Sequence, residues 1–145
     1  MSIKPIVTNE MILSKVTTDA TKEEALCIAK DLIENAFYRK ALRRGCAGLA
    51  ANQIGYDKSV LVIWYGGGFK PMINPIIKVM FGGPDTMREG CLSRPGRQAR
   101  VTRSKKLRIT FRDEFFNLYE DVKFTGLTAR VIQHEVDHLN GKFIP

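Results

Sequence analysis

Histidine is scarce in this chain of 145 residues: it occurs only at His134 and His138. The three cysteines, Cys27, Cys46 and Cys91, are too scattered and odd in number to form a disulfide framework, which excludes a small secreted scaffold. No run approaches the roughly 18 apolar residues of a spanning helix, and the N-terminal MSIKPIVTNE lacks a signal peptide's apolar core. No repeat, low-complexity tract or long linker divides the chain, so collagen, coiled-coil and multidomain architectures are excluded. Acidic residues are also few, 15 against 23 basic, giving a net charge of +8. What is present is 44% hydrophobic and 26% charged, the balance of one ordinary globular domain spanning 1–145. These features describe a soluble protein of a reducing compartment, expected in the cytoplasm.

Helical periodicity first appears from about Thr21 to Leu42, where Leu26, Ala29, Ile33, Ala36 and Phe37 recur at helical spacing. Thr21 followed by Glu24 fits a capping box, and Cys27 falls among apolar neighbours, which predicts a core position. GCAGLAANQIG follows and is too rich in Gly and Ala to read as a packed strand. From Ser59 to about Phe124 short β-branched and aromatic segments predict several strands. Turns are expected between them at Gly66-Gly67-Gly68, Gly82-Gly83-Pro84 and Pro95-Gly96. A second helix is predicted from about Leu127 to Asn140, stopped by Gly141. The order helix, strands, helix is that of an α+β fold.

The last helix carries HEVDH, an H-E-x-x-H pattern that uses both histidines in the chain. Residues at i and i+4 stand one turn apart on one face, so both imidazoles can reach a single metal ion. Glu135 between them sits where it can polarise water at that metal. A catalytic ion of this kind needs a third ligand. The seven residues after His138, LNGKFIP, include no His, Cys, Asp or Glu, so that ligand lies upstream and is not a histidine. Cys91, flanked by Gly90 and Ser93 in EGCLS, is favoured by its local context, with Cys46 as its rival.

Three segments in order, CAGLAANQ (46–53), EGCLS (89–93) and QHEVDHLNG (133–141), resemble the signature motifs of the peptide deformylases. The resemblance implies an α+β fold with antiparallel β-sheets around a central metal-binding helix. It assigns Cys91, His134 and His138 as ligands of one divalent ion, iron(II) in the cell, with zinc or nickel also accepted. Metal-activated water would then remove the formyl group from the initiator methionine of nascent polypeptides. Glu135 would move the proton, while the Gln53 amide and the Leu92 N–H would stabilise the oxyanion. Ala47, Gly48 and Gly90 would hold the peptide, and Leu127 and Val131 would line the methionine pocket. Glu89 and Arg103 would form an ion pair steadying the metal loop.

The sequence departs from the family at Cys46, where glycine is usual, and it stops soon after the third motif, like members without a C-terminal helical extension. Two other readings stay open: a metallopeptidase with an upstream cysteine ligand, and a basic RNA-binding protein with a structural metal completed by Cys46. The basic stretches YRKALRR (38–44) and RPGRQARVTRSKKLR (94–108) are candidates for ribosome or rRNA contact. In the second stretch, alternation points Val101, Leu107 and Ile109 inward and its cations outward. A monomer with no membrane contact is expected.

Overall fold

Residues 3–42 and 47–144 are described by a computed structural model. Their elements run α1 (Glu10–Leu13), α2 (Lys22–Leu42), β1 (Gly48–Ala50), a 3-10 turn (Ala51–Ile54), β2 (Val60–Tyr65), β3 (Gly68–Cys91), β4 (Arg94–Arg112), β5 (Leu118–Thr125) and α3 (Gly126–Leu139). The strands form one antiparallel five-stranded sheet in sequence order. Among the described residues no helix is long and apolar enough to cross a membrane.

The expected capping box opens α2: the Glu24 amide donates to Thr21 Oγ1 (3.3 Å), and the Thr21 amide donates to Glu24 Oε1 (3.0 Å). Its buried stripe is Ala25, Ile28, Ala29, Leu32 and Ala36. Leu26 and Phe37 are instead 39% and 49% exposed. Cys27 is exposed as well, contrary to the sequence reading. At roughly 100° per residue it points almost opposite Ala25, away from the packed face.

Strand β2 lies between two helices. Val60 and Val62 pack toward α2, while Leu61 and Ile63 pack toward α3. Burial on both faces explains its unbroken apolar sequence, VLVIW, in place of alternation. The small-residue segment, read as non-strand, forms β1: Leu49 joins the first core and Ala50 the second. Only at Gly48 does the approach exclude a larger side chain, because a Cβ there would meet Glu135 and Val131.

The several expected short strands are two long ones, β3 and β4, of 24 and 19 residues. Gly66 and Gly67 do form the β2–β3 turn, both at positive φ. Gly82 and Gly83, expected to form a turn, lie within β3 at φ 85° and 84°. There the register against β4 slips between Phe81 and Pro84, so the glycines absorb a bulge rather than end the strand. Pro95 and Gly96 occupy a second irregularity, between the Gly90–Gln98 and Cys91–Arg94 pairs at the hairpin tip. Helix α3 lies across the sheet, burying Ala129, Ile132, Val136 and Leu139 against Leu61, Met72, Leu107 and Phe124. Gln133 fastens it to β4, donating to the Ser104 carbonyl (2.8 Å) and accepting from the Ser104 amide (3.1 Å).

Asn74 occupies another bulge of β3 at φ 51°. Its side chain accepts from the Ala20 amide (2.8 Å) and donates to the Ala20 carbonyl (3.0 Å), tying the approach to α2 onto the sheet. Asn74→Ala should therefore destabilise the fold by about 2–3 kcal/mol, through lost hydrogen bonds and left-handed backbone strain. Asn74→Gly relieves the strain and should lose about 1 kcal/mol less. Urea unfolding midpoints of the two variants measure the difference.

Candidate metal centre

His134 and His138, one turn apart on α3, bring their Nε2 atoms to 3.3 Å. Cys91 ends β3 at the hairpin tip, and its Sγ lies 3.2 Å from His138 Nε2. The ligand atoms of the three residues all fall within 4.8 Å of one another. Of the alternative thiols, Cys27 is exposed on α2 and Cys46 lies outside the described residues.

The His134 ring is aimed by a buried ionic cluster. Its Nδ1 bonds Glu89 Oε1 at 2.9 Å, leaving Nε2 to face Cys91 and His138. Arg103 grips both oxygens of the same carboxylate, at 2.7 and 2.9 Å, and Arg130 donates to Oε2. Arg103 also bonds Asp137 Oδ2 at 2.8 Å. The expected Glu89–Arg103 pair is present, and both side chains are only 8% exposed. Arg103 thus points inward, contrary to the outward direction given to the cations of 94–108. Burial by itself would raise the Glu89 pKa, but the donors from His134, Arg103 and Arg130 outweigh it and hold the value near 2. Glu89 is therefore a fixed negative charge.

This field favours positive charge on His134. Burial opposes protonation of His134, yet hydrogen bonds with Cys91 and Glu89 and the charge of Glu135 raise its pKa to about 10. His138 is the opposite case, held down to about 3 by burial, with help from His134 and Arg103. A cysteine sulfur and two imidazole nitrogens facing one another match the three-ligand catalytic set with one open position. The residues present fit a divalent cation.

Glu135 shares the turn between the two histidines and is 5% exposed. Burial raises its pKa to about 7, against the opposing pull of His134 and Arg103. Its Oε1 is buried without a hydrogen-bond partner among the described residues. A Cβ added to Gly48 would lie 2.9 Å from Glu135 Oε2 and 3.0 Å from Val131 Cγ1, so only glycine lets β1 pass this close. Gln53, 2% exposed, is oriented by the Ala50 amide, which donates to its Oε1 at 3.0 Å. Its Nε2 donates to Ser93 Oγ at 3.2 Å and toward Cys91 Sγ at 3.6 Å.

These groups open onto a cleft of about 800 Å³. Ala47, Gly48, Gln53, Gly90, Leu92 and Val131 line it beside Cys91, His134 and Glu135. Leu127, one turn before Val131, is 66% exposed and stands outside that lining. The sequence reading did not single out Arg130, Asp137 or Asn52. Arg130 was legible only as a cation at i−4 from His134, and nothing local marked it as buried. Asn52 donates to the His138 carbonyl at 2.6 Å, a contact across 86 residues with no local signature.

Residues 3–145 match the family model for polypeptide deformylase. A peptide deformylase of Clostridium beijerinckii is 39% identical over 142 residues, covering 98% of this chain and 99% of the relative. Among solved structures, the Thermotoga maritima peptide deformylase superposes with a TM-score of 0.88 at 30% identity, over 99% of this chain and 95% of that one. A Met-Ala-Ser-bound class I type b peptide deformylase of Acinetobacter baumannii gives 0.86 at 25% identity, over 98% and 96%. A family match over nearly the whole chain, together with a cysteine and histidine cluster able to hold a metal ion, leads to one conclusion: the chain belongs to the polypeptide deformylase family, hydrolases that remove the formyl group from N-terminal methionine.

Proposed function

We propose that this single domain holds one divalent ion on Cys91, His134 and His138 and uses the adjoining cleft to deformylate the N-termini of nascent chains. The observation that carries the reading is the buried, unpartnered Oε1 of Glu135 beside that ligand set. When bound, the ion supplies Lewis acidity, polarising the formyl carbonyl and making water acidic enough to react near neutral pH. A mixed thiolate and imidazole set suits iron(II), zinc or nickel, with iron(II) our choice for the cell.

Glu135 takes a proton from the attacking water as its oxygen bonds the formyl carbon. The charge that develops on the carbonyl oxygen meets the Gln53 Nε2 and Leu92 N–H donors. The carbon–nitrogen bond then breaks, Glu135 returns its proton to the departing amine, and formate leaves. A carboxyl group with a pKa near 7 is suited to both transfers.

Strand β1 is the outermost strand of the sheet, and β3 pairs with β2 only through Ile73, so its end carrying Glu89–Cys91 has a free edge. An extended peptide lying between these edges can bond to backbone groups near Ala47, Gly48 and Gly90. The methionine side chain fits beside Val131, where exposed Leu127 on the same stripe gains an apolar partner. The Acinetobacter relative, crystallised with Met-Ala-Ser, supports a peptide ligand beginning with methionine. We assign the enzyme to the cytoplasm, acting as a monomer.

Protein loaded anaerobically with iron or nickel should release formate from formyl-Met-Ala-Ser and leave the peptide bonds intact. Formate absent from fully loaded protein, or peptide cleavage, would reject the reading. Glu135→Gln should keep the metal while kcat falls by about 10²–10⁴, whereas Cys91→Ala should lose the metal, read by elemental analysis. Glu89→Gln leaves Arg103 and Arg130 without a full countercharge and slackens His134. Competition with a chelator should show metal affinity lowered about 10–100-fold.

A further inference from the structure

The cleft is strongly basic away from the reacting groups. Arg88, Arg94, Arg97 and Arg130 line it, and its only acids are Glu89 and Glu135, both occupied in the metal centre. Two of the four arginines are already engaged: Arg130 on Glu89, and Arg94 on Glu10 at 2.9 Å. Arg88 and Arg97 are exposed and have no hydrogen-bond or ion-pair partner among the described residues. Arg88 also stands directly opposite Arg100 across the β3–β4 ladder, a like-charge pair that disfavours the empty arrangement and favours an arriving anion.

We propose that Arg88 and Arg97 form a carboxylate-binding subsite, which makes the enzyme prefer formylated peptides carrying Asp or Glu within the first residues after methionine. The inference rests on the cleft being the formyl-peptide site. Arg88 precedes the ligand Cys91 by three residues of strand, about 10 Å. A peptide extended along the free edge of β3 with its formyl group at the centre brings its second and third residues to that distance. Arg97 borders the same run: its carbonyl lies 3.8 Å from the position a Gly90 Cβ would take. Because both cations sit inside the concave cleft that holds the reacting groups, a side chain of the bound peptide reaches them more readily than a nucleic-acid backbone.

The test compares kcat/KM for C-terminally amidated formyl-Met-Ala-Asp-Ala, formyl-Met-Ala-Ser-Ala and formyl-Met-Ala-Lys-Ala, with formyl-Met-Asp-Ala-Ala to locate the position. The better-placed acidic peptide should exceed the serine peptide by about five-fold, with lysine below serine. The preference should shrink to under about two-fold at roughly 0.5 M salt. Arg88→Ala and Arg97→Ala should each move the acidic-to-serine ratio toward one, and Arg88→Lys should restore part of it. Arg108→Ala removes the same charge from the exposed side of β4 and should leave the ratio intact. Turnover of the serine peptide with an acidic ratio of one overturns the inference while the deformylase reading stands. Turnover of none of the peptides overturns the deformylase reading itself. If the Arg88 and Arg97 variants lose affinity for an rRNA fragment while the wild-type acidic ratio is one, the cations serve nucleic acid and the inference fails.

Discussion

A buried carboxylate organises this molecule. Glu89 stands near the end of a long strand with almost no exposure to water, where an isolated charge would be prohibitively unfavourable. Arg103 from the neighbouring strand and Arg130 and His134 from α3 all donate to it. Removing one partner of such a cluster typically destabilises by about 3–5 kcal/mol, because the remaining charge stays buried. The cluster therefore couples β3, β4 and α3 into one rigid body, and the same bonds that offset its desolvation also set the angle of the His134 ring.

The second constraint is space. Strand β1, built from Gly48, Leu49 and Ala50, passes between the core backed by α2 on one side and α3 on the other. Gly48 gives the closest approach, meeting Glu135 and Val131 where a methyl group would collide. Close packing excludes bulk water from Glu135 and raises its pKa toward neutrality. The glycine thus acts on the chemistry through the dielectric around a neighbouring carboxyl group. Asn52 and Gln53 continue the same segment, one holding the end of α3 and the other aiming an amide toward Cys91.

Electrostatics then divides the cleft into two regions. The fixed negative charge of Glu89 lies behind the cysteine and histidine cluster and favours positive charge on His134. The arginines farther out give the remaining wall the opposite sign.

The pairing of His134 and His138 on one face of α3 was legible from sequence because i, i+4 spacing is a local property of any helix. The capping box at Thr21 and Glu24 was legible for the same reason. Sequence periodicity misread Cys27, because the packed stripe of α2 runs through Ala25, Ile28, Ala29, Leu32 and Ala36 and leaves position 27 on the opposite face. It also read Gly82 and Gly83 as a turn, since positive φ is equally compatible with a bulge inside a paired strand. Which thiol joins the histidines, which arginines are buried and why Glu135 titrates near 7 were decided only by tertiary structure. Each depends on residues brought together from separate elements, Arg103 and Glu89 across 14 positions and Cys91 and His138 across 47, and burial, unlike spacing, belongs to the folded neighbourhood rather than to any one segment.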